Sequence, residues 1–403
     1  MPTVIKGQST SPEVIAKLKD EDRPVLLSFS CGKDSIAAWI ALEDAGIDVV
    51  PVYMYIVPNL PFVEKQLSYF ESKFGKRIHR FPHASFYRLV GCGVFQAPER
   101  ISIIERAQIP VIDYAHIWGA VRDHLGMQDC WVADGVRAAD SIVRRASFVK
   151  HGVMKKSSMK VSPIADWLKA EVYEAIERRG IDLPIDYEIF GRSFDGIDRR
   201  FTEPMREHLP KDYAVLKEWF PMIEADIVRW GSYDMSTSAS AGSYTDRAKA
   251  ERERFELATD SEFWAAFCFK DERDLERFRS MTGISEGFVS GIELRDKTAS
   301  LKPEKPKRGF AKRCIANPAK ENPLDSVEYT DDLEADSRSE AMALYRAFVS
   351  GRQMRPVKNA IDSDLWICAA FRSREDKEGY LRDWGLTKYG DKYIDASAWM
   401  RSL

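Results

Sequence analysis

A strand that runs through a short polar turn into a helix is the feature that most constrains this chain. Residues 24–29 are mostly apolar, residues 30–35 read Ser-Cys-Gly-Lys-Asp-Ser, and residues 36–42 are again apolar. The backbone N–H groups at a helix start, together with its dipole, favour a bound anion there. Gly32 lets a ligand approach the backbone closely, and Lys33 adds a full positive charge. The sequence therefore predicts a phosphate site in this turn.

Two common phosphate motifs do not fit the turn. A Walker A loop needs two glycines separated by four residues before Lys and Ser or Thr, and the dinucleotide fingerprint needs three spaced glycines. The turn at 30–35 contains a single glycine. A plain helix start, capped by Asp34 and Ser35, is the alternative interpretation. In the phosphate interpretation, we expect the hydroxyl groups of Ser28, Ser30 and Ser35 to line the site.

The composition narrows the class of protein. The chain has 403 residues, of which 44% are apolar, and this length predicts two or three domains with full cores. With 60 basic and 63 acidic side chains, the net charge of −3 gives no overall attraction to nucleic acid.

The six cysteines form no Cys-x-x-Cys pair, so we expect free thiols, a cytoplasmic location and no iron–sulfur cluster. No segment approaches the roughly 20 apolar residues that span a bilayer, so we expect no membrane partner.

Strands and helices alternate along the first half of the chain. The predicted strands lie at 24–29, 48–56, 77–81, 129–135 and 160–164. The predicted helices lie at 12–20, 33–45, 62–74, 112–125 and 166–179, the last capped by Asp166. This alternation predicts an α/β fold with a doubly wound, mostly parallel sheet. Such sheets bind ligands at the carboxyl ends of their strands.

The second half has a different character and predicts an α+β region. Six identities between residues 261–284 and 363–386 indicate a duplicated β-α-β unit, with chance similarity of amphipathic segments as the alternative. A basic run at 302–313 is either a solvated linker or a contact for nucleic acid. The predicted parts are a nucleotide-binding domain, a helical connector with a Ser/Ala/Gly-rich loop, a first repeat, a linker and a second repeat, at 1–205, 206–260, 261–301, 302–340 and 341–403.

A second polar cluster follows the predicted fourth strand, which ends at Asp134. Arginine is well suited to bidentate contact with phosphate or sulfate. An ordinary loop in which arginines pair with aspartates is the alternative. Because this cluster and the turn both follow strands of one sheet, we expect them at the same edge. The candidate ligand-binding residues of the cluster are Gly135, Arg137, Ser141, Arg144 and Arg145.

Together these elements resemble the phosphoadenosine phosphosulfate (PAPS) reductase-like branch of the PP-loop ATP pyrophosphatases, also called adenine nucleotide α-hydrolases. The turn at 30–35 is similar to the Ser-Gly-Gly-Lys-Asp-Ser loop of that superfamily. Residues 135–144 are similar to its Gly-Ile/Val-Arg-x-x-Glu-Ser-x-x-Arg element, with Asp140 in place of Glu. Residues 163–167 match its Pro-Ile-x-x-Trp segment, and Tyr187 matches a later tyrosine. The resemblance covers residues 20–200.

The resemblance implies that ATP or a related adenine sulfonucleotide binds at the loop and is cleaved between its α and β phosphates. An acceptor, either nucleic acid or protein, would be adenylated, and a sulfurtransferase step to nucleic acid could follow. The implied catalytic residues are Lys33, Asp34 and Arg137. The implied adenine contacts are Tyr53 and Tyr55, and Mg²⁺ would lie near Asp34 or Asp134.

The chain also departs from that family. The reductases carry a catalytic cysteine in a Glu-Cys-Gly-x-His-like motif near the C-terminus, and this sequence has no such motif. Cys31 replaces the usual glycine or alanine of the loop and is either a nucleophile with a lowered pKa or a small residue packed inward. A sulfonucleotide reductase using Cys31 or Cys92 is therefore one alternative function. The other is an inactive nucleotide-binding protein whose C-terminal region binds a partner or a second copy, as in divergent relatives from phage.

Overall fold

The computed structural model describes residues 3–233, 260–304, 321–350 and 359–403, together with 252, 256 and 257. The Ser/Ala/Gly-rich loop and most of the basic run at 302–313 lie outside the described residues.

The first half of the chain builds a six-stranded mixed sheet. Its strands, in chain order, are β1 (Val25–Ser28), β2 (Val49–Tyr55), β3 (His79–Pro82), β4 (Val132–Ala133), β5 (Met154–Lys155) and β6 (Lys160–Val161). Their spatial order is β3-β2-β1-β4-β6-β5. All neighbouring pairs are parallel except β5 and β6. The expected α/β class with a mostly parallel sheet is therefore confirmed.

Helices cover both faces of this sheet. The helices of the first half are α1 (Ser11–Asp20), α2 (Lys33–Asp44), α3 (Pro61–Phe74), α4 (Ala84–Gly91), α5 (Ile101–Ala107), α6 (Tyr114–Leu125), α7 (Ile142–His151), α8 (Lys169–Arg178), α9 (Asp186–Ile189), α10 (Arg199–His208), α11 (Pro210–Trp219) and α12 (Glu224–Ser232). Leu27 of β1 packs in one core with Trp39 of α2, whereas its neighbour Leu26 packs in another with Trp118 of α6. Burial on both faces explains why β1 reads as a continuous apolar run.

The strand order reverses next to β1. From β1 the chain proceeds outward to β2 and β3 on one side and later resumes at β4 on the other side. The loops after β1 and β4 therefore leave the sheet in the crevice at this reversal, which is where open α/β sheets bind ligands.

The second half builds a four-stranded sheet. Its strands are β7 (Trp264–Cys268), β8 (Phe288–Ser290), β9 (Trp366–Ala370) and β10 (Tyr393–Asp395), and its helices are α13 (Glu272–Thr282), α14 (Gly291–Lys297), α15 (Leu333–Ser350), α16 (Arg374–Asp383) and α17 (Ala396–Met400). The central strands β7 and β9 are antiparallel, β8 is parallel to β9, and β10 is parallel to β7. The second strand of each similar segment thus pairs with the first strand of the other.

The two similar segments also share local details. Each runs strand, helix, strand, helix, and the helix after the first strand is capped by Asp271 in one and Ser373 in the other. Gly283 and Gly385 follow those helices in the left-handed conformation. This is the arrangement that a duplicated unit would adopt.

The two sheets pack against each other through one continuous core. Trp264 and Ala266 of β7 belong to the same cluster as Leu27 of β1, whereas Phe267 packs on the opposite face of the second sheet. The Tyr393 hydroxyl donates to the backbone oxygen of Gln96 at 2.7 Å and thereby joins β10 to the first half.

Several boundaries differ from expectation. Helix α8 begins at Lys169, because the Asp166 carboxylate accepts hydrogen bonds from Ser11 at the start of α1 instead of capping α8. The expected boundaries at 205 and 340 fall inside α10 and α15.

In the part of the chain that the structure describes, no helix is long and apolar enough to cross a membrane.

We expect the change Tyr393→Phe to destabilise the fold by about 1 kcal/mol, because it removes the donor that satisfies a buried backbone carbonyl. Tyr389→Phe is the matched control, since the Tyr389 hydroxyl bonds the exposed Ser402 side chain, and we expect it to change stability by less than about 0.5 kcal/mol. Urea unfolding measures both. Equal effects of the two changes would show that the Tyr393 hydrogen bond does not join the halves.

Candidate functional site

Internal hydrogen bonds hold the turn between β1 and α2. The Ser30 N–H donates to Ser35 Oγ at 3.2 Å, and Ser35 Oγ donates to the Gly32 carbonyl at 2.8 Å. Gly32 is the residue that precedes the first turn of α2, and Ser28 is the last residue of β1, paired with Val52. The Ser35 hydroxyl thus closes the turn and fixes the direction of the helix start.

The Cys31 side chain points into the core. Its backbone is left-handed, with φ of 58°, and the side chain is buried in the same cluster as Tyr53. Burial is the main reason that the pKa of the thiol lies well above its usual value. This agrees with the inward-packed interpretation. The nucleophile interpretation requires a lowered pKa, and this buried, apolar environment acts in the opposite direction.

Alternating charges link the two predicted clusters. The Asp34 carboxylate accepts from Lys33 Nζ at 2.5 Å and from Arg137 Nε at 2.8 Å. Arg137 also donates to Asp140 at 2.6 Å, and Arg144 donates to the same carboxylate at 2.6 Å. Three cations and two carboxylates therefore form one network, in which the Arg137 side chain is only 5% exposed.

Gly135 makes this juxtaposition possible. A Cβ atom at Gly135 would lie 2.5 Å from the carbonyl carbon of Asp34 and 2.6 Å from the Ser35 nitrogen. Real Cβ atoms essentially never approach backbone so closely, so only glycine fits. The end of β4 therefore lies directly against the start of α2, as the expectation of a shared edge requires.

Two further residues adjoin the loop. The Tyr187 hydroxyl accepts from the Lys33 N–H at 2.8 Å, and burial raises the pKa of Tyr187 to about 12. The Ser193 hydroxyl would be 3.3 Å from a Cβ at Gly32. The buried Asp186 carboxylate accepts from the Phe194 N–H at 2.8 Å and thereby holds this segment in place. Sequence reasoning did not select Tyr187 or Ser193, although Tyr187 lies in a segment that carries the family resemblance.

The remaining candidates lie elsewhere. Tyr53 and Tyr55 are buried in the core, where burial raises the pKa of both, so their rings offer little exposed surface to a ligand. Ser141 caps α7 by accepting from the Arg144 N–H at 3.1 Å. Arg145 donates to the Val4 carbonyl at 3.0 Å and so contacts the N-terminal segment rather than the loop.

The two carboxylates expected near Mg²⁺ do not fit that role in this arrangement. Both Asp34 oxygens already accept from cations. Asp134 already accepts from Ser162 Oγ at 2.7 Å and from the Val136 N–H at 3.1 Å, and burial raises its pKa. Within the described ranges, no group of three or more His, Cys, Asp or Glu side chains could hold a metal ion.

No protein-family model and no curated protein matches the chain. Its function is therefore inferred from the site itself, namely a helix start, a lysine and two arginines at the strand-order reversal.

We expect Gly135→Ala to destabilise the protein by about 1–3 kcal/mol, because the new methyl group would overlap the backbone of Asp34. Gly119→Ala is the control, since Gly119 lies within α6 with no atom near its Cβ position, and alanine there stabilises a helix by about 0.5–1 kcal/mol. Urea unfolding of both variants provides the comparison. An unchanged free energy of unfolding in the Gly135→Ala variant would contradict the close contact between β4 and α2.

We expect the Cys31 thiol to resist alkylation in the folded protein from pH 7 to pH 9, because burial excludes the reagent and raises the pKa of the thiol. The exposed Cys92 is the internal control and reacts with iodoacetamide under the same conditions. Peptide mass spectrometry measures the two sites separately. Labelling of Cys31 at the rate of Cys92 would restore the nucleophile interpretation.

Proposed function

We propose that the chain is a PP-loop protein of the PAPS reductase-like branch that binds ATP or a related adenine nucleotide at the turn 30–35. It cleaves the nucleotide between the α and β phosphates and transfers the adenylyl group to an acceptor. The observation that carries the proposal is the meeting of Lys33 and Arg137 across the Asp34 carboxylate, at the reversal of strand order.

The fixed cations explain how such a reaction would be accelerated. An acceptor nucleophile forms a bond to the α phosphorus, the bond from that phosphorus to the bridging oxygen breaks, and pyrophosphate leaves with the electron pair. The acceptor proton passes to solvent. Negative charge grows on the pyrophosphate, and we expect Lys33 and Arg137 to stabilise it when the phosphates take the place of Asp34 as their partner.

The ion pairs seen in the structure are compatible with this role. Asp34 and Asp140 hold Arg137 in one orientation, and a polyphosphate would compete with them for the same N–H groups. The Arg144 side chain is half exposed, and among the contacts described only its NH1 group is bound, to Asp140. We therefore expect Arg144 to contact the bound phosphates. Mg²⁺ carried by the phosphates stays a prediction, and the bond changes at phosphorus do not depend on it.

A nucleotide-binding protein without turnover is the second candidate. Two contacts favour it. The Lys33 N–H is already bound to Tyr187, and the carboxylates of Asp34 and Asp140 already neutralise Arg137. The reductase alternative loses support for Cys31, which is buried with a pKa raised by burial, and now depends on the exposed Cys92.

The test combines binding with product analysis. We expect Lys33→Met to weaken ATP binding about tenfold or more, because it removes a charged contact worth roughly 1.5–3 kcal/mol. Lys19→Met, at an exposed position of α1, is the control and leaves binding unchanged. Isothermal titration measures binding, and thermal unfolding verifies that both variants fold.

α-labelled ATP then separates the two candidates. Release of AMP and pyrophosphate, or label on an acceptor, supports adenylyl transfer. Tight binding with no product over a range of nucleic-acid and protein acceptors supports the binding protein. Equal ATP affinity of Lys33→Met and the unaltered protein would overturn the placement of the nucleotide at this loop.

A further inference from the structure

The 25 residues from 141 to 165 contain six Lys or Arg residues and no Asp or Glu. The whole chain is nearly balanced in charge, so this segment is a local exception. The cations are Arg144, Arg145, Lys150, Lys155, Lys156 and Lys160. The segment begins at the arginine cluster of the candidate site and builds α7 and the β5–β6 hairpin.

Helix α7 is unusually exposed for a helix of ten residues. The structure describes all ten residues of α7, and among them only Phe148 is buried. Ile142 is 88% exposed and Val143 is 77% exposed. Such a helix gains little from packing against the body of the protein. Its exposed apolar residues and cations are therefore available to a partner.

The hairpin after α7 continues the positive surface. Lys155 and Lys160 face each other across the antiparallel β5–β6 pair, an arrangement of like charges that is unfavourable by itself. Lys160 Nζ lies 5.8 Å from the centre of the Tyr114 ring, which is 45% exposed. Lys156 is exposed at the turn of the hairpin. An anionic partner would relieve this repulsion.

The positive surface is continuous with the nucleotide site. Arg144 of α7 and Arg137 of the site share the Asp140 carboxylate. On the other side, β6 pairs with β4 so that Lys160 lies beside Val132 and Val161 beside Ala133, and Lys155 pairs with Lys160. Both lysines therefore lie near the end of β4. A partner lying on α7 and the hairpin would reach the loop at 30–35.

We propose that α7 and the β5–β6 hairpin form a surface that binds the phosphate backbone of a nucleic acid and presents it to the nucleotide site. The regular phosphates of a nucleic acid match a run of cations that lacks any acidic residue. An anionic membrane fits less well, because the large exposed apolar residues of this surface (Ile142, Val143 and Val149) are confined to α7, whereas the cations continue through the hairpin. The role of the nucleic acid as acceptor rests on the proposed function, whereas its binding to this surface does not.

Fluorescence anisotropy tests the surface with labelled DNA and RNA of mixed sequence and about 20 nucleotides, which exceeds common single-strand site sizes. The variant is Lys150→Gln, Lys155→Gln and Lys156→Gln combined. The control has the same loss of charge at exposed lysines elsewhere, Lys19→Gln, Lys65→Gln and Lys211→Gln. Titrations at salt concentrations from about 50 to 200 mM give the slope of log affinity against log salt.

We expect the unaltered protein and the control to bind with similar slopes. The surface variant should bind at least about tenfold more weakly at low salt, and its slope on duplex DNA should be smaller by about 0.9 for each phosphate that the removed lysines no longer neutralise. All three proteins should keep the same ATP affinity. The ATP measurement separates the two proposals. If the unaltered protein does not bind ATP, the nucleotide site is rejected, and the oligonucleotide titrations alone then decide whether the surface binds nucleic acid.

Two results would overturn the inference. One is equal affinity and equal slope for the surface variant and the control. The other is binding to vesicles that contain phosphatidylserine, abolished in the surface variant, by a protein that binds neither DNA nor RNA. Circular dichroism of the variant verifies that α7 and the sheet remain folded, so a loss of binding is assigned to the removed charges.

Discussion

The close contact between the end of β4 and the start of α2 determines how the candidate site is assembled. Gly135 lies against the backbone of Asp34, with room for no larger residue. That contact places Arg137 within 2.8 Å of the Asp34 carboxylate, although the two residues are far apart in sequence. The phosphate loop and the arginine element thus become one site because a glycine lets two strand ends converge at the reversal of strand order.

Charge balance then defines what the site requires of a ligand. Lys33, Arg137 and Arg144 are offset by Asp34 and Asp140, and Arg137 is almost completely buried. A buried arginine without carboxylate partners would be strongly destabilising, so the aspartates stabilise the fold around it. A ligand must therefore offer several anionic oxygens to compete with them. Polyphosphates meet this requirement, whereas a single carboxylate does not.

The local parts of the fold and site could be predicted from the sequence, and the side-chain orientations could not. The strand, turn and helix around 30–35 follow from an apolar run and a helix start, and the mostly parallel sheet follows from alternation of elements. The burial of the Tyr53 ring could not be predicted, because a strand alternates its side chains and the sequence alone does not show which side is interior. Tyr187 reaches Lys33 across 154 residues, a contact that no local pattern encodes.

The basic segment shows why whole-chain charge is a poor guide to partners. A net charge of −3 excludes a general attraction to nucleic acid, yet the acid-free residues 141–165 fold into one exposed helix and one hairpin next to the site. Electrostatic attraction is screened over about 8–10 Å at physiological salt, so a phosphate backbone lying on this surface interacts mainly with the local cations. Acidic residues further away weaken that interaction little. The distribution of charge in the folded chain, rather than its sum, therefore decides which polyanion can approach the nucleotide loop.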